Sequence, residues 1–160
     1  MARTRPQVRR ASLRIARVLT PTDFSPAVEP ALQWAMRLAD AFGAEVTLLH
    51  VLDPSLGAVA GLPAHLAAMP AYGELLDVVR GEARDEMAKL GRRYPSAKTV
   101  IREGPPRSII MEVAGEIKAG LIIMGTHGRT GLAHVFFGSV AEHVVRHSRI
   151  PVLTVRQHET

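Results

Sequence analysis

Gly125-Thr-His-Gly128, nine further residues and then Gly138-Ser139 form the stretch of this chain best suited to chemistry. Glycine at 125 and 128 lets the backbone take positive φ and approach a ligand with no Cβ in the way. Successive N–H groups in such a turn make a concave anion site. Gly138-Ser139 then opens a helix, whose unpaired first-turn N–H groups and positive dipole end face the same anion. The Ser139 hydroxyl can cap that helix or donate to a phosphate oxygen. Two anion-binding devices on one loop suit a polyphosphate better than a single carboxylate. Neither common phosphate signature is present. The chain has no G-x-x-x-x-G-K-[ST], and Thr20-Pro-Thr-Asp23 stands after the first strand where a dinucleotide G-x-G-x-x-G would lie.

Other reactive side chains are few. Asp23 can contact a ligand or cap the helix behind it. His127 is read as a loop residue, and Arg129 either neutralises phosphate or points to solvent. His143 and His147 stand four apart on a helix, a spacing that can hold a metal. No Asp or Cys partner is evident, so the pair is read as a partly exposed face, and no metal ligands are assigned. Phe136 and Phe137 pack either the loop or a partner chain.

The elements that must position these residues alternate between strand and helix. Residues 14–19, 46–51, 99–102, 121–124 and 151–155 read as strands, several of them continuous apolar runs suited to a sheet covered on both faces. The first helix follows Ser25, a candidate N-cap, and Pro26. It places Leu32, Ala35, Met36, Ala39 and Phe42 on one face and ends at Gly43. A second helix over 74–93 presents Leu76, Val79, Ala83, Met87 and Leu90, weakened somewhat by Gly81. Ile109 to Ile117 mark a third helix, and Ser139 to His147 a fourth. Residues 53–73, rich in Pro and Gly, are read as a long irregular connection. This alternation predicts an α/β protein: one Rossmann-like, three-layer α/β/α domain on a five-stranded parallel sheet. Its ligand crevice lies beyond the carboxyl ends of the strands.

Composition narrows the partners. The chain carries 20 Lys and Arg against 15 Asp and Glu, a net charge of +5. Six of those arginines fall within residues 1–17 with no acid among them, so the remainder has 14 basic against 15 acidic groups. The basic arm is read as a solvated, flexible tail, with weak RNA, DNA or membrane contact through phosphates as the alternative. A transit-like segment is a further option. There is no cysteine and no apolar run of membrane-spanning length, and the N-terminus lacks the apolar segment of a secretory signal. A cytoplasmic protein is the default.

Leu19-Thr-Pro-Thr-Asp-Phe-Ser25, Leu49-His-Val51, Met124-Gly-Thr-His-Gly-Arg-Thr-Gly131, residues 138–147 and Ile150-Pro-Val-Leu-Thr-Val155 resemble the universal stress protein family. The G-x2-G-x9-G-S pattern is similar to that of its ATP-binding branch. The resemblance implies a sheet of order 3-2-1-4-5, a nucleotide-binding domain over 14–156 between an arm at 1–13 and a tail at 157–160, and ATP, with Mg2+, as cofactor. It further implies that Pro21, Thr22 and Asp23 lie near the adenosine, Asp23 accepting from a ribose hydroxyl. Val51 meets the adenine through its backbone, while Met124, Gly125, Gly128, Arg129, Gly138, Ser139 and Val140 line the phosphate path. Asp23 is the one residue offered to a nucleotide-bound magnesium. The resemblance also implies a homodimer through the fifth strand, and a regulatory or stress-response role, with a slow ATPase or adenylate-handling hydrolase as the alternative. Gly120 stands where the family usually carries an acid, and is expected to end a helix.

Overall fold

The computed structural model describes residues 15–55, 70–126 and 138–156. In chain order these form β1 (Arg17–Thr22), a 3-10 turn (Pro26–Val28), α1 (Glu29–Phe42), β2 (Glu45–Leu52), α2 (Pro70–Arg93), β3 (Lys98–Glu103), α3 (Pro106–Glu116), β4 (Leu121–Gly125), α4 (Ser139–His147) and β5 (Val152–Val155). The five strands make one sheet of order β3-β2-β1-β4-β5, with every neighbouring pair parallel.

Strand alternation divides the core in two. Val18, Val46, Leu48, Leu121 and Ile123 face α1, meeting Ala31, Leu32, Ala35 and Ala39, with Leu90 and Tyr94 packed at the margin. Leu19, Leu49, Ile122 and Met124 face the other way, onto Ile110, Val113 and Ala114 of α3 and Ala141 and Val144 of α4. Leu19, Leu48, Ile122 and Ile123 are fully buried, as a doubly covered parallel sheet requires.

Several local expectations are corrected. Phe42 is 52% exposed and Val79 38% exposed, although both fit the apolar spacing of their helices. Leu75 and Val78, in the same part of α2, are exposed as well, and Arg80 beside them bonds Glu103, the last residue of β3. Helix α2 also begins at Pro70 rather than 74, and β1 runs on through Pro21 to Thr22. Ser25 occupies the N-cap position of the 3-10 turn, but its hydroxyl makes no cap bond and donates instead to Asp23. Gly120 does not end α3. Lys118 follows it in the left-handed region at φ 51, while Gly120 donates its N–H to the Arg17 carbonyl just before β4.

Candidate functional site

The pairing of β1 changes partway along the strand. Against β2 it continues to Thr22 beside His50, but against β4 it involves only Val18 with Leu121 and Leu19 with Ile122. Beyond that point β1 and β4 share no ladder, and Pro21 brings no N–H that could extend one. These two strands flank the place where the sheet order reverses, so the unpaired segment lies at the switch point, where sheets of this kind take their ligands.

Pro21 and Thr22 form the end of β1, and Asp23 follows directly. Met124 and Gly125 form the end of β4 on the opposite lip. Val51 lies near the end of β2, next to β1, and packs partly against the α3–α4 core. Gly138 is the N-cap residue of α4, with Ser139 and Val140 in its first turn. The Gly138 N–H donates to the Thr126 carbonyl at 2.7 Å, and the Thr126 N–H donates to Val155 at 3.1 Å. These two bonds hold the start of α4 beside the ends of β4 and β5. Among the described residues no side chain caps α4, and the N–H groups of its first turn have no intrahelical acceptor. The Gly138 N–H is thus engaged with Thr126, and the first-turn donors of α4 proper begin at Ser139. Gly128, Arg129, His127, Phe136 and Phe137 lie outside the described residues, as do the arm and the tail.

The turn after β1 is tightly organised. Asp23 Oδ1 accepts from the Ser25 N–H at 3.0 Å and from the Ser25 hydroxyl at 2.7 Å, while Thr22 Oγ1 accepts from the Phe24 N–H at 3.0 Å. Asp23 thus bonds into the turn behind it, one of its two expected tasks. Asp53 and Ser55 repeat the same arrangement after β2. At the end of β3, the Arg80 guanidinium holds the Glu103 carboxyl below the ordinary range. On α4 the His143 and His147 rings stack at 4.2 Å, and no group of three or more possible metal ligands forms among the described residues.

His50 and Phe24 carry no role in the sequence reading, yet both belong to this turn. His50 is buried, its Nδ1 lies 2.8 Å from the Thr22 carbonyl, and its ring stacks on Phe24. One signal was available: His50 is the only strongly polar residue in the run Val46–Val51 apart from Thr47.

Sheet order and a helix start beside the strand ends define a doubly wound α/β domain whose switch point is its candidate site. The Universal stress protein family profile matches residues 14–156, and the chain belongs to that family. Universal stress protein MJ0531 of Methanocaldococcus jannaschii is 37% identical over 142 residues, covering 88% of this chain and 82% of that protein. The structure of universal stress protein UspA from Lactobacillus plantarum superposes with a TM-score of 0.76 at 30% identity, covering 89% of this chain and 99% of that one. A universal stress protein solved in complex with cAMP superposes with a TM-score of 0.56 at 25% identity, covering 90% and 98%.

Proposed function

We propose that this chain is an adenine-nucleotide-binding member of the family, with ATP as its ligand and a regulatory or stress-response role exerted through binding rather than rapid turnover. The observation that carries this reading is the end of the β1–β4 ladder at Leu19 and Ile122, with the glycine-led start of α4 beside it. Open strand ends accept the flat and hydroxylated parts of a ligand, and a helix N-terminus accepts its anion. A relative held with cAMP supports the adenine class.

In this reading Pro21, Thr22 and Asp23 take the adenosine, Asp23 its ribose, and the Val51 backbone the adenine. Met124, Gly125, Gly128, Arg129, Ser139 and Val140 line the phosphate path, with Gly138 shaping its helix terminus. Magnesium would be held chiefly by the phosphates, with Asp23 as the carboxylate offered to it. Domain limits of 14–156, with flanking arm and tail, and a cytoplasmic setting belong to the same proposal. No described helix is long and apolar enough to cross a membrane. Two copies would pair through β5, an edge strand without Lys, Asp or Glu between Val152 and Val155.

The test is mass spectrometry of the purified protein for copurified nucleotide, followed by melting of nucleotide-free protein with ATP and magnesium. At one hundred times its Kd, ligand should stabilise the fold by about 2.7 kcal/mol, roughly 5–10 °C for a domain near this size. No shift at millimolar ATP would overturn the proposal.

A further inference from the structure

Phe24 lies at φ 63, in the left-handed region that a bulky side chain rarely occupies. Glycine, Asn and Asp take this conformation readily, the last two because a short polar side chain can bond locally. Phenylalanine has no such compensation, so something outside the residue must hold it there. Two contacts do so. The Phe24 N–H donates to Thr22 Oγ1 at 3.0 Å, and the ring stacks on His50 at 4.1 Å between centroids with 27° between planes.

His50 is fixed in turn. It is 7% exposed, stands beside Thr22 in the β1–β2 register, and has Nδ1 2.8 Å from the Thr22 carbonyl. A carbonyl can only accept, so Nδ1 carries the proton and donates. One imidazole thus joins the ends of two strands: it bonds the last residue of β1, lies under the residue after Asp23, and precedes Val51 in β2.

We propose that His50 is a positioning residue for ligand recognition: its hydrogen bond to Thr22 and its stack on Phe24 hold the Thr22–Ser25 turn in the conformation that presents Asp23 to a ribose hydroxyl. The inference rests on the nucleotide reading above and adds to it a preference for ribonucleotides enforced from behind the site. With the brace removed, the strained residue relaxes and the Asp23 carboxylate loses its fixed place, while the phosphate path at α4 stays intact. The defect is therefore confined to the sugar.

The experiment is calorimetric titration of nucleotide-free protein with ATP and with 2′,3′-dideoxy-ATP. The parent should prefer ATP by about tenfold, the effect of one good hydrogen bond. His50→Ala and Phe24→Ala should bring that preference close to unity, with affinity for the dideoxy compound within about twofold of the parent. His50→Phe keeps a stacking ring without the donor and should fall between. Phe24→Ala keeps a Cβ at φ 63 but loses the stack, so it tests the brace even if His50→Ala fails to fold. Unchanged preference in folded Phe24→Ala and His50→Phe overturns the inference, as does equal weakening of both ligands, which a merely structural role would give. A parent that binds ATP without preferring it also overturns the inference but leaves the nucleotide reading standing. A parent that binds neither compound removes both. Nitrogen-15 NMR of the parent should show the His50 proton on Nδ1; a ring protonated only on Nε2 would refute the brace directly.

Discussion

Gly104→Ala should destabilise the fold through two separable effects. Gly104 follows β3 at φ 136, a conformation that side chains rarely adopt, with its N–H donated to Leu52 at 2.8 Å. A Cβ placed there would meet Ile109 Cδ1 and Cγ1 at 3.1 Å. The backbone term alone is about 1–3 kcal/mol. The steric term is smaller, because Ile109 is partly buried at the margin of the α3–α4 core and can shift by a few tenths of an ångström. A total of about 2 kcal/mol lowers the melting temperature by roughly 4–8 °C in a domain near this size. Gly81→Ala in the interior of α2 is the matched control. Nothing lies within 4 Å of its Cβ, so helix propensity should raise stability by about 0.5–1 kcal/mol. Scanning calorimetry on both variants, with Gly104→Ala also made in an Ile109→Ala background, separates the terms. Near-zero coupling assigns the loss to backbone conformation, and positive coupling assigns it to the clash. Parent-like melting of Gly104→Ala, or a loss of equal size in Gly81→Ala, would refute the reasoning.

Three further outcomes are expected. Lys118 follows α3 at φ 51, so Lys118→Gly should gain about 1 kcal/mol in urea unfolding; a loss would mean that the lysine makes a compensating contact. His143 should titrate below its ordinary value of 6.5, because of desolvation first and then the charges of His147 and Arg107. A base whose folded pKa is depressed contributes stability that is full above its ordinary pKa and is lost as pH falls through the folded one. By NMR, Arg107→Gln should move that titration upward. Sedimentation should show twice the chain mass at micromolar concentration, and Leu153→Lys in β5 should shift it towards monomer; a parent that remains monomeric at about 100 μM would defeat the edge-pairing argument.

The layered fold was legible because burial on both faces of a parallel sheet leaves continuous apolar runs, as in Leu121-Ile-Ile-Met124. Helical periodicity likewise identified Leu32, Ala35 and Ala39, which are buried on the inner face of α1. The same periodicity failed at Phe42 and Val79, since spacing shows which residues share a face but not how much of that face is covered. Pro21 misled in a related way. Proline is normally confined to edges or strand starts, yet here it lies in the central strand, at the place where the ladder to β4 has already ended. The site is legible in proportion to how local its causes are. Glycine spacing and the start of α4 are properties of short segments, and those the sequence states directly. The left-handed conformation of Phe24 is not, because a bulky aromatic residue disfavours it. Beside the local bond to Thr22 it is held by a stack with a histidine 26 positions away, brought there by the register of two parallel strands. A residue's local preference is overridden only where tertiary contacts over-determine it, and such an override beside a candidate site is where recognition can be built without any residue type announcing it.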